Sequence, residues 1–160
     1  MEKYKKVLDF WFPSINIEYK DFWFNSTPEI DQFIRNNFYD LLLELEKSDN
    51  ITYQNADELL TKIIILDQFS RHIYRGTKKS FKNDNKALKL AKIYFEEKFN
   101  DRHALNRIIF ALMPFRHSVN LEDQQFVVDK FDEIKNNSEL WNKFHRESLI
   151  SFFTIKKYGR

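Results

Sequence analysis

Two glycines and three prolines in 160 residues leave this chain almost none of the punctuation that tight β-hairpins need. What the sequence supplies at intervals instead is helix caps. Thr27-Pro28 offers a hydroxyl for the N-cap and a proline at the first turn, where its missing N–H costs nothing. Asn55 with Glu58 three residues on forms a capping-box start for a helix from Ala56 to about Tyr74, ending near Gly76. Asn83 or Asp84 opens the next helix, which runs to Phe99. Asp101 opens another that Pro114 stops, Asn120 opens one to about Lys135, and Ser138 opens the last, ending near Gly159. Before these, a helix from Glu2 to Phe12 is closed by Pro13, and a short one spans about Ile17 to Phe24. The expected fold is all-α, one domain over residues 1–160, with about seven or eight helices in stacked antiparallel hairpins.

An apolar content of 42% is enough for one core, and 17 Phe, 7 Tyr and 3 Trp predict that interlocking rings fill it. The Lys+Arg total of 26 nearly cancels the Asp+Glu total of 24, so no long-range field draws nucleic acid or a membrane surface, and any anion site must be local. The absence of cysteine removes disulfides, thiolate catalysis and cysteine-ligated metals. The first residues, with Asp9 inside a short apolar run, make neither a signal peptide nor a span. A cytoplasmic protein is expected, with no nucleic-acid or membrane partner.

The stretch from Leu66 to Asp84, LDQFSRHIYRGTKKSFKND, interrupts this pattern. On a continuous helix Asp67 and Arg71 fall within the apolar stripe of Leu60, Ile64 and Tyr74, at i,i+4 spacing with the acid first. Gln124 falls between Leu121, Val128 and Phe131, and His145 beside Trp141, Phe144 and Phe152. A buried amide or imidazole must be hydrogen-bonded or it costs about 1–3 kcal/mol. These groups form either a satisfied core network with an ion pair fixing helix register, or the floor of a polar pocket. The basic turn RGTKK with Lys82, beside the capped start at Asp84, reads as a solvated loop or an anion-binding one. His103, His117 and His145 lack helical metal-ligand spacing, so no metal and no cofactor are expected, and chelators should leave the protein unchanged. His117 and Ser118 adjoin in one loop, a poor arrangement for a base and its nucleophile.

Four segments, VLDFWF (7–12), DQFSRHIYRGTKKSFKNDNKA (67–87), MPFRHSVNLEDQ (113–124) and KYGR (157–160), together resemble the bacterial domain-of-unknown-function family 924, over nearly the whole chain and in the right order. The resemblance implies a tetratricopeptide-like stack of helical hairpins and no established reaction. Ser70 stands where that family usually has proline, which implies a helix that continues where relatives kink. Arg116 and Val119 replace the acidic residues that usually flank the His-Ser pair, and Ser151 stands where a histidine is expected. The chain also ends before the usual F-P-x-R-N segment, which implies a shortened polar edge.

Three functions stand as expectations. The first is a binding domain whose groove takes the carboxylate or phosphate of a small anionic molecule or acidic peptide on Arg71 and Arg75, with Asp67, Gln68, Asp84, His117 and Gln124 around it. The second is a hydrolase with Asp67 or Asp84 as base and His117 as acid, which requires the carboxylate and His117 to converge in one closed pocket. The third is a docking domain that meets a protein partner through exposed aromatics.

Overall fold

The computed structural model describes residues 2–13, 20–136 and 138–160, and the regular elements among them are all helical. They are α1 (Glu2–Trp11), α2 (Pro28–Lys47), α3 (Ala56–Ile64), α4 (Ser70–Ile73), α5 (Asp84–Glu96), α6 (Leu105–Arg116), α7 (Leu121–Glu133) and α8 (Glu139–Tyr158). Short 3-10 turns lie at Asp21–Trp23, Lys78–Phe81 and Phe99–Arg102. A π turn, Ile65–Phe69, joins α3 to α4, so these two form one rod and the described residues make seven rods. Helices adjacent in sequence are mostly adjacent in space: α5 packs on α6, α6 on α7, and α7 on α8, while α3 also meets α5 and α6.

Four of the caps work as the sequence implies. Thr27 Oγ1 accepts from the Ile30 amide at 3.3 Å, Asn55 Oδ1 from Glu58 at 2.9 Å, Asn120 Oδ1 from Glu122 at 2.9 Å and Ser138 Oγ from Trp141 at 3.0 Å. The Glu58 carboxylate reaches back to the Gln54 amide at 2.8 Å, which completes a reciprocal cap. Gly76 sits at φ +81 just past α4, where an L side chain would be strained.

Rings make the core. Trp11, fully buried, has Phe110, Phe22 and Phe69 around it at centroid distances of 5.3, 5.4 and 5.7 Å, each edge-on. Trp23 closes this end by donating its indole N–H to the Trp11 carbonyl at 3.1 Å. Each such ring contributes about 1.5–3 kcal/mol by leaving water.

Several boundaries differ from the sequence expectation. Residues 14–19 lie outside the described residues, and the next element along the chain is a 3-10 turn rather than the end of a short helix. Asp101 caps nothing: it lies within the 3-10 turn, and α6 starts after Ala104. Helix α5 ends at Glu96, because Lys98 takes a left-handed φ of 58°. Pro114 lies inside α6, which continues to Arg116; in a last turn a proline forfeits only one bond, and the His117 amide still reaches Met113 O at 2.9 Å. Asn83 does not cap with its side chain, which donates instead to Glu46 at 2.7 Å and to Ser70 Oγ at 3.0 Å. Phe152 is only half-buried, whereas Trp141 and Phe144 are in the core.

Candidate functional site

The helix does continue through Ser70, but wound wide. In a π turn the backbone takes up one extra residue per turn, and Ser70 Oγ donates to the Leu66 carbonyl at 2.7 Å beside it. Asp67 and Gln68 both lie on this turn. Asp67 is fully buried, and its two oxygens are divided: Oδ1 accepts from His117 Nδ1 at 2.8 Å, and Oδ2 from Gln68 Nε2 at 2.8 Å. Burial alone would raise this carboxyl. The His117 charge and hydrogen bond, Arg71 and Gln68 outweigh it and hold the group below the ordinary range, as a carboxylate.

A carboxylate accepts only, so Nδ1 of His117 carries a proton, and in the neutral tautomer the lone pair is on Nε2. His117 is the residue that terminates α6, and its position is fixed by Gln124, whose amide donates to the carbonyls of Arg116 and Ser118 at 2.7 Å each.

Arg71 is held chiefly by Asp84. Its Nη1 and Nη2 donate to Asp84 Oδ1 and Oδ2 at 2.9 and 3.2 Å, while Nη1 also reaches the Asp67 carbonyl at 2.7 Å and Asp67 Oδ1 at 3.5 Å. The expected side-chain pair with Asp67 is therefore the long arm of a three-way contact. Asp67, Asp84 and His117 present ligand atoms within 4.8 Å of one another, a donor set that could hold a metal ion. The Arg71 guanidinium binds both of those carboxylates and supplies the positive charge between them.

A second cluster lies alongside. Asp31 of α2 receives Ser26 Oγ at 2.8 Å, His72 Nδ1 at 2.8 Å, and Arg75 through Nε at 2.6 Å and Nη2 at 3.2 Å. These bonds outweigh the burial that would raise Asp31 and hold it below its ordinary range. His72 is pushed the other way from a typical surface histidine: burial first, and then the Arg75 charge, lower it despite Asp31. Arg75 Nη2 also approaches His72 Nδ1 at 3.4 Å, but both are donors once Nδ1–H serves Asp31, so the shorter Asp31 contact decides the tautomer.

The two clusters share a cavity of about 170 Å³. His117, Gln68, Arg71, His72, Arg75 and Ser26 supply its polar wall, and Trp23 and Phe24 its apolar wall. Behind this wall Asp67 and Asp84 pair with Arg71, and Asp31 with Arg75.

Of the residues singled out in the sequence, Asp67, Gln68, Arg71, Arg75, Asp84 and His117 come together here, whereas Gln124 stands behind His117 as a cap. His145 is elsewhere, half-buried and stacked on Trp141 at 4.4 Å, with Asp132 at 3.8 Å. Lys82 pairs with Glu46 at 3.4 Å rather than with the cavity. Ser118 donates to Asp123 at 2.7 Å, away from His117. Sequence reasoning missed Ser26, Asp31 and His72. Asp31 looks like an ordinary first-turn acid, and its partners lie 41 and 44 residues away.

A search of curated proteins finds no match. Among solved structures, a protein of unknown function from Agrobacterium tumefaciens superposes with a TM-score of 0.81 at 20% identity, over 98% of this chain and 84% of its own, a likeness of fold. No helix among the described residues is long and apolar enough to cross a membrane. The family model described as "Bacterial protein of unknown function (DUF924)" matches residues 7–160, and the chain belongs to that family.

Proposed function

We propose that this domain is a small-molecule hydrolase in which His117, oriented by Asp67, transfers the proton. What carries it is one arrangement: His117 Nδ1 is spent on a fully buried carboxylate at 2.8 Å, and the same imidazole lines a small cavity beside Gln68 and Arg71. A neutral imidazole so held takes a proton from an incoming water through Nε2, and Asp67 steadies the imidazolium that forms. The proton then passes to the leaving oxygen. General acid–base help of this kind contributes about 10²–10⁴-fold.

The hydrogen bond that His117, which lines the pocket, makes to Asp67 buried behind it is what favours this over the anion-binding domain. Arg71 and Arg75 both have carboxylate partners already, which weakens their pull on a further anion. Turnover of 4-nitrophenyl acetate and of mono-4-nitrophenyl glutarate, compared between wild type and His117→Gln, tests the proposal. A loss of about 100-fold or more is expected; equal rates in both proteins overturn it. Should a carboxylate raise the melting temperature with no turnover, the binding domain becomes the better account.

A further inference from the structure

Three histidines in this fold are held by an aspartate, and they differ in what the other nitrogen does. His103 spends both: Nδ1 meets the Tyr94 hydroxyl at 2.6 Å and Nε2 meets Asp57 at 2.7 Å, which ties the turn before α6 to α3 and α5. His117 and His72 each spend only Nδ1, on Asp67 and Asp31, both at 2.8 Å. Neither Nε2 has a protein partner among the described residues. Neither is sealed in, because among the described residues the one buried side-chain nitrogen or oxygen without a partner is Trp11 Nε1. Both imidazoles line the same cavity of about 170 Å³.

We propose that His72 is a second proton-transfer residue of this cavity, working opposite His117 on a carboxylic ester. This rests on the hydrolase proposed above. One imidazole takes a proton from water as its oxygen attacks the carbonyl carbon. The other, protonated at Nε2, gives its proton to the alkoxide oxygen as the C–O bond breaks, so water and ester become acid and alcohol with no other reactant. The charged groups of the lining are the guanidiniums of Arg71 and Arg75, whose partners Asp84 and Asp31 lie behind it. His72 faces Asp31 from α2, Arg75 and Arg71 from its own segment, and the Trp11 ring from α1. His117 faces Asp67 and Arg71, with Asp84 close by and Arg116 behind it.

The test is the pH–rate profile of the full chain with monoethyl glutarate, whose leaving ethoxide needs a proton, beside mono-4-nitrophenyl glutarate, whose leaving phenoxide does not. Wild type should give a bell with two limbs on the ethyl ester. His72→Gln should remove one limb and lower the rate about 100-fold or more, and His117→Gln should remove the other limb. Asp31→Asn keeps an acceptor for Nδ1–H but weakens the imidazole as a base, so it should move the His72 limb to lower pH and leave the other in place. Unchanged limbs and rate in His72→Gln, beside an inactive His117→Gln, overturn this inference and leave the one-histidine hydrolase standing. Inactive wild type overturns the hydrolase itself. If His72→Gln does not fold, Asp31→Asn decides, and an unmoved limb overturns the proposal.

Discussion

Asp84 lies 13 residues beyond Arg71 in the chain, and its carboxylate takes both Nη atoms of that guanidinium, at 2.9 and 3.2 Å. Arg71 is thus the clasp between the rod of α3 and α4 and the start of α5. Its removal strands Asp84 and part of Asp67, and Arg71→Met should cost about 3 kcal/mol, near the lower end for broken buried pairs, because the side chain keeps 21% exposure. Replacing Asp84 by leucine in the same protein should recover much of that loss. Replacing Asp67 instead should not, because Asp67 also serves His117 and Gln68. Arg75, whose side chain is 54% exposed, should lose under about 1 kcal/mol on mutation to alanine. Urea denaturation of the four variants distinguishes these outcomes.

With Arg71 seated among Asp67, Asp84 and His117, a divalent ion has to displace a bidentate guanidinium to bind. Chelators should therefore leave the melting temperature of wild type unchanged, and added zinc or magnesium should not raise it. A clear upward shift with either metal would show the donor set winning over the arginine.

Acid should unfold the protein in two stages. His72 is lower in the folded state than its ordinary 6.5, so the unfolded chain binds the extra proton first; its contribution is complete above that pH and is lost as pH falls through the folded value. Asp31 and Asp67 are held below their ordinary 3.8, and their contribution is lost further down, as pH falls through their own folded values. Thermal melts from pH 8 to pH 3 should show both declines. His72→Gln should flatten the upper one and leave the lower.

Helix α8 divides into a core half and an exposed half. Trp141 is buried with its indole N–H on the Phe131 carbonyl at 3.0 Å, so Trp141→Ala should cost about 3–5 kcal/mol. Phe153 is 59% exposed, and Phe153→Ser should change stability by under about 0.5 kcal/mol. Circular dichroism melts of the pair check both figures.

The helices and the main cluster were readable because their signals are local. Caps, glycine stops and the placement of Asp67 and Arg71 in an apolar stripe all depend on residues a few positions apart. Asp101 and Pro114 misled for the same reason: each carries a strong local preference that tertiary packing overrides. What escaped was long-range. Nothing near Asp31 marks it as the partner of His72, since that contact exists only once α2 packs on α4. The exchange of partners at Arg71, from Asp67 to Asp84, likewise depends on where α5 begins.

The π turn at Ile65–Phe69 behaves like one residue inserted into an otherwise regular helix. In genetic terms it is a frame offset within the rod. Straightening it into a regular backbone ladder with every residue kept would turn everything after it by about 100°. Arg71 and His72 would then leave the cavity while α3 kept its place in the core. A more regular helix and a dismantled site would arise from the same change, so the irregular turn is where the demands of folding and of chemistry part.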